Sequence, residues 1–489
     1  MDAQEPKKPF MKRLQERLAA SRFLTFSLLL HVIIVVMGGS VVLFKIAQEQ
    51  PDFEASDGGL VSSEVTAAPP PEQPVDLTQQ TFTPDAPQIT APTLSAISTT
   101  NITTPTFAVA SAVPVVKPVQ TDAMSKALEK AATAMTKGVG GGAVPGAMAG
   151  RMGGAARSKA MMATGGKQKS EEAVMRGLRW LVKVQNPDGS WGKSATSAMT
   201  GFAVLCFLGH GETTTSPEFG PTVQKGADWL IDQGTKFQGH LCRKNDFGGQ
   251  PTVYEHGIAA YALGEYYSMT KDERAGPILR QAIKYVVDGQ GPDGGWMYSY
   301  DKSQSDTSVS GWQIQALKAA HLSDLKIEGV DACLDKAMLN LKRVQGDKGG
   351  FGYRDAKSEK YSLTGVGVLC TYFWKQDKDE LVRDGIKYML DKDKPEVDYK
   401  ADTADLYAWY YNTQACLMVG GSAWSKWNRM FQDQICDNQS PEGSWPPIRG
   451  KAVHGGLDKP DGDGPVYRTA LCILMLEVYY RYMPVTKGM

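Results

Sequence analysis

From about Ser170 nearly to the end of the chain, apolar residues recur at the three- and four-residue intervals of a helix face, and polar stretches divide the pattern into paired segments. The first members of the pairs cover 174–184, 223–232, 278–287, 330–344, 381–390 and 424–436. The second members cover 200–208, 255–267, 309–320, 363–373, 406–419 and 466–480. The spacing predicts six helical hairpins. A short signature closes the first helix of several pairs: Gln185-Asn-Pro-Asp-Gly-Ser-Trp191, Gln290-Gly-Pro-Asp-Gly-Gly-Trp296, Gln345-Gly-Asp-Lys-Gly-Gly-Phe351 and Gln439-Ser-Pro-Glu-Gly-Ser-Trp445, with a degenerate copy near Trp229 and Gln233. Its period is about 51 residues, a length suited to long helical hairpins. A Gln amide can satisfy orphan backbone groups at a helix end, an indole can cover that bond, and Asp-Gly or Gly-Gly supplies the tight reversal.

The N-terminal third has a different pattern. Residues 23–44 contain no Asp, Glu, Lys or Arg, and such a helix of roughly 33 Å is long enough to cross a bilayer. Lys7, Lys8, Lys12, Arg13, Arg17 and Arg22 precede it, and Glu49, Asp52, Glu54 and Asp57 follow. This asymmetry predicts a single uncleaved span, with 1–22 as a basic cytoplasmic N-terminus and the rest exported across the inner membrane to a periplasmic or extracytoplasmic side. Residues 45–120 are rich in Pro, Thr, Ala and Val, a composition that forms no core and predicts an extended tether. At about 3.1 Å per residue it could reach on the order of 200 Å. A short helix is predicted over 121–137, started by Thr121 and ended by Gly138, then a flexible Gly-rich linker over 138–167 and the repeat domain over 168–483.

Composition narrows the partners. Basic and acidic residues balance at 53 each, so nothing points to nucleic acid. The seven cysteines include no Cys-x-x-Cys pair, and Cys206, Cys370, Cys416 and Cys472 sit in apolar runs as small buried hydrophobes.

The Gln/Gly/aromatic motifs resemble those of the prenyltransferase and squalene-cyclase repeat family over residues 170–483. The resemblance implies an all-α fold, an α/α toroid of six helical hairpins with the second helices as the inner ring, and function in the cavity they enclose. The chemistry of such relatives is not matched. No Asp-x-Asp-Asp acid cluster occurs; the nearest groupings are Asp402-Thr-Ala-Asp405 and Asp461-Gly-Asp463. Around Asp306-Thr-Ser-Val-Ser-Gly-Trp312 and Val466-Tyr467-Arg468 the chain is similar to protein prenyltransferase β-subunits. There Asp306 matches a zinc ligand, but Ser308 stands in place of the Cys and Arg468 in place of the His. A cationic Arg repels zinc, so neither a metal nor another cofactor is expected. The thioester motif of complement-type toroids is absent as well, and Asp458-Lys-Pro-Asp461-Gly-Asp463 lacks the spacing of a calcium loop.

The remaining candidates lie near the starts of the second helices: Tyr254, Glu255, His256, Asp306, Trp312, Asp405, Tyr407, Trp409, Tyr411, Tyr467 and Arg468. Asp306 or His256 would be the acid or base, Arg468 would hold an anion, and the aromatics would line a cavity for an isoprenoid or other apolar ligand. Against this, Asp306 and Asp405 stand where helix N-caps belong, and aromatics fill ring interiors. Within the predicted span, Ser27 and His31 share one helix face. With the Pro-rich tether they resemble the anchor of TonB-type energy transducers, which implies an inner-membrane proton-channel complex as partner. Together these features predict a membrane-anchored, exported, non-catalytic ligand- or protein-binding module. The alternatives are an enzyme acting on an isoprenoid-like substrate and a structural envelope component.

Overall fold

In the computed structural model the described residues are 144–242, 253–300, 302, 304–374, 380–391, 393–394, 396–449 and 457–482. The span at 23–44 with Ser27 and His31, the tether and the helix at 121–137 lie outside them. Among the described residues no helix is long and apolar enough to cross a membrane.

Six hairpins follow one another. Their outer helices are α2 (Gln168–Lys183), α4 (Gly220–Lys236), α6 (Ala275–Asp288), α8 (Val330–Val344), α10 (Glu380–Met389) and α12 (Gly421–Asp437). Their inner helices are α3 (Thr196–Gly209), α5 (Val253–Thr270), α7 (Thr307–Leu322), α9 (Tyr361–Phe373), α11 (Leu406–Val419) and α13 (Gly464–Leu476). The inner helices pack in sequence, α3 on α5 through to α13, and α13 returns to α3. The ring is closed: the chain folds as an α/α toroid.

Composition separates the two rings. In α3 every residue from Ser197 to Gly209 is buried, and α11 is buried from Leu406 to Met418. A helix that is apolar on all sides belongs inside. The outer helices bury one stripe, as α6 does with Ile278, Leu279, Ala282, Ile283 and Val286. A two-stranded ribbon, β1 (Phe351–Gly352) with β2 (Glu359–Lys360), joins α8 to α9.

The Gln motif acts as a rivet between hairpins. Gln185 Nε2 donates to the carbonyl of Gly189 in its own turn (2.9 Å) and to that of Thr222 in α4 (3.1 Å). Gln290 joins Gly294 to Cys333, Gln345 joins Gly349 to Leu381, and Gln439 joins Gly443 to Ala173 in α2. That last bond links the sixth hairpin to the first. The indole N–H groups of Trp191, Trp296 and Trp445 donate to carbonyls in the last turn of their own outer helices, Leu181, Val286 and Ile435. The turn glycines 189, 294, 349 and 443 all have positive φ, and a Cβ on any of them would lie within 2.5 Å of a carbonyl oxygen of the next outer helix. Only glycine fits.

Two expectations are corrected. The degenerate copy lies at Thr235, Gly239 and Leu241: Gly239 has φ +90°, and a Cβ there would meet Gln281 of α6. Trp229 instead sits inside α4 and donates to Asp188. The linker read over 138–167 is largely structured where it is described. A 3-10 helix (Gly146–Arg151) and α1 (Gly154–Thr164) bury Met148, Ala160 and Met161 and pack against α14 (Val478–Arg481). Small residues let this strap lie close to the ring; the same composition reads as flexible in sequence.

Candidate functional site

The inner helices run parallel, so their N-termini meet at one mouth of the ring, and carboxylates gather there to accept from the unpaired N–H groups. Asp306 caps α7, accepting from Ser308 N at 2.8 Å, and Asp405 caps α11, accepting from Ala408 N at 2.9 Å. Glu255 reaches across from α5 to Ser197 N in the first turn of α3 (3.2 Å). Around Asp306 the hydroxyls form a chain. Ser308 Oγ donates to Asp306 at 2.5 Å, Tyr298 donates at 3.3 Å, and Tyr254 hydrogen-bonds Ser308.

The candidate aromatics converge on the ring centre. Phe202 of α3 lies 5.6 Å from Trp312 and 5.2 Å from Tyr467, Trp312 lies 6.4 Å from Tyr411, and Tyr407 lies 4.8 Å from Tyr411. Phe202, Trp312, Tyr407, Trp409, Tyr411 and Tyr467 are each 0% exposed. Among the described residues they pack against one another as buried core.

His256 has a backbone role. In three hairpins the N–H of the motif aromatic donates to a hydroxyl in the first turn of the inner helix: Trp191 to Thr200, Trp296 to Ser310 and Phe351 to Thr364. In the second hairpin Leu241 N donates to His256 Nδ1 at 3.1 Å, and Nε2 lies 2.9 Å from the Ala282 carbonyl. The proton therefore sits on Nε2. Burial, reinforced by nearby His240, lowers the His256 pKa to about 3. This neutral imidazole, with both nitrogens bonded to main chain, is not placed to act as an acid or base.

Arg468 is likewise committed to backbone. It donates to the carbonyls of Trp445 (3.2 Å), Leu457 (2.9 Å) and Lys459 (2.5 Å), and burial lowers its pKa. In place of the anion-binding role expected of it, its guanidinium holds the main chain at Trp445, Leu457 and Lys459. Among the described residues no group of three or more His, Cys, Asp or Glu is placed to hold a metal ion. Surface grooves of about 430 Å³ beside His321 and Asp331 and about 550 Å³ beside Tyr388 are lined by none of the sequence candidates.

Sequence reasoning missed the charged cluster at the opposite mouth, where the inner helices end. Arg151 and Glu265 form a fully buried ion pair at 2.7 Å, with Arg481 Nη2 3.9 Å from the same carboxylate. Burial pushes the Glu477 carboxyl well above the usual carboxylate range, against the pull of Arg481 and Arg151. At the rim, His210 lies between Glu212 (2.7 Å) and Glu171 (3.0 Å). Burial opposes its charge, but the bonds to Glu171 and Glu212 prevail and raise its pKa above the ordinary value. The available signal was a carboxylate deep within an inner helix, away from its N-terminal turn, as Glu265 is in α5.

No protein-family profile matches the sequence, and no curated protein matches it. Solved structures with a similar arrangement include an inactive variant of the GH76A α-1,6-mannanase of Salegentibacter sp. HEL1_6 in complex with α-1,6-mannotriose. It is 10% identical, with a TM-score of 0.49, over 64% of this chain and 99% of that one. They also include the type II terpene cyclase MstE from Scytonema, 13% identical, with a TM-score of 0.44, over 63% of this chain and 97% of that one. Similarity of this order says nothing about what the chain binds.

Proposed function

We propose that the toroid is a non-catalytic docking ring, held at a membrane by the span read at 23–44 and carried on the tether at 45–120. The observation that supports this is the use made of the polar candidates. Asp306 and Asp405 are caps, His256 and Arg468 bond main chain, and the central aromatics are buried against one another. Residues so engaged give a rigid ring, and rigidity suits a surface that must present one shape to a partner.

One observation favours an enzyme instead: the hydrogen-bond chain from Asp306 through Ser308 to Tyr254. Native mass spectrometry of the full chain, released from membranes in mild detergent, separates the readings. The docking ring is expected at the mass of the polypeptide without a stoichiometric lipid. A one-to-one polyisoprenoid adduct that persists through purification would overturn it and make the ring interior the functional site.

A further inference from the structure

The 3-10 helix of the strap delivers one arginine to the C-terminal mouth of the inner ring, and the mouth is shaped around that side chain. Arg151 Nε donates to the Arg481 carbonyl at 2.6 Å, and Nη1 to the Glu265 carboxylate at 2.7 Å and the Leu208 carbonyl at 3.4 Å. Nη2 reaches the other Glu265 oxygen at 3.5 Å, and the guanidinium carbon lies 4.4 Å from the ring centroid of Tyr482. The backbone is seated as closely: Gly211 has φ +91°, and a Cβ there would lie 2.2 Å from the Arg151 carbonyl oxygen. A carboxylate facing the fork, an aromatic plane and two flanking carbonyls match a planar guanidinium and not an ammonium.

Two further observations set this apart from ordinary core packing. A buried ion pair adds little net stability over apolar side chains of equal volume, and its best-attested use is to select a partner or a state. The mouth also holds more acid than Arg151 engages. Glu477 is fully buried, and neither of its carboxylate oxygens has a hydrogen-bond partner among the described residues. With the strap lifted, among the described residues two carboxyl groups, Glu265 and Glu477, would face the guanidinium of Arg481. The strap is weakly built for independent folding. Its 3-10 helix has six residues and no side-chain cap, and α1 has eleven residues between Gly153 and Gly165, both at positive φ. Helices that short are marginal on their own.

We propose that the C-terminal mouth of the inner ring is a receptor for an arginine-bearing peptide segment of a partner protein, occupied in this structure by the chain's own Arg151. The strap is then an internal ligand that keeps the receptor shut until a competing arginine displaces it. This rests on the docking reading and names the partner's chemistry; docking elsewhere on the ring would survive its failure.

The test is a fluorescent synthetic peptide spanning residues 144–166, titrated against the full chain and against the full chain carrying Arg151→Ala. Binding to the variant is expected to be about tenfold tighter or more, because the internal occupant has lost its key contact. A peptide carrying Arg151→Lys is expected to bind about tenfold more weakly than the Arg peptide. Equal binding of the Arg and Lys peptides overturns the proposal. So does absence of binding to a variant whose α5 and α7 amides keep their protection from hydrogen exchange. If Arg151→Ala unfolds the ring, the same titration is run on Arg151→Met, which keeps the stem packing. Loss of the ring in both variants makes the strap part of the core and also overturns the proposal.

Discussion

Asp306 and His256 show how a residue type that suggests chemistry can be fixed by backbone geometry. Asn accepts an N-cap hydrogen bond about as well as Asp, whereas Ala cannot. A capping Asp306 therefore predicts that Asp306→Asn keeps the denaturant midpoint close to wild type and that Asp306→Ala lowers stability by about 1 kcal/mol. Midpoints that fall equally in both variants would show that the charge, not the cap, is what α7 needs. For His256 the sign of the pH effect follows from a folded pKa of about 3 against an ordinary 6.5. The unfolded chain takes up the proton first, so this histidine's contribution is present above pH 6.5 and is lost as pH falls toward 3. The slope is at most about 1.4 kcal/mol per pH unit. His256→Thr, the residue type used at Thr200 and Thr364, is expected to flatten the loss of stability between pH 6.5 and 4 in urea melts. An unchanged slope would place the titrating group elsewhere.

At the scale of the element, the turn glycines and their glutamines were legible in the sequence as punctuation, but their partners were not. The motif shows where an outer helix stops. It does not show that Gly294 lies against Lys336 or that Gln290 reaches Cys333, because those contacts belong to the next hairpin. For the same reason the degenerate copy was misplaced: with Leu241 for the aromatic and Thr235 for the Gln, only the positive φ of Gly239 marks the turn. The candidate site fared likewise. The sequence places these candidates near the inner-helix starts, yet whether Trp312 faces a cavity or Phe202 depends on packing between helices far apart in the chain. Gly294→Ala tests the contact. With φ at +91° and a Cβ only 2.2 Å from the Lys336 carbonyl, the substitution must move α8 or distort the turn. A loss of about 2 kcal/mol or more in chemical denaturation is expected, and a neutral result would mean that the turn and α8 are not in contact.

At the scale of the whole molecule the closed ring makes its own prediction. An open stack of hairpins has terminal repeats with one unsatisfied face, and such repeats fray first. Here the sixth hairpin meets the first through α13 on α3 and the Gln439 bond to Ala173, so no hairpin is terminal. The strap spans the same seam: Trp424 Nε1 of α12 donates to the Thr164 carbonyl at 2.7 Å, and Gln432 donates to that of Gly165 at 3.3 Å. A rivet at the seam should then matter as much as one far from it. Gln439→Ala and Gln290→Ala each strip two carbonyls of their donor, and each is expected to lower stability by about 1–3 kcal/mol. Native-state hydrogen exchange gives the sharper readout. In the unsubstituted chain the amides of α2 and α12 should be as protected as those of α7. Gln439→Ala should lower protection around the whole ring, because opening the seam releases both of its neighbours. If α2 and α12 instead exchange ahead of α7 before any substitution, the seam is already open in solution and the molecule behaves as a stack with two ends.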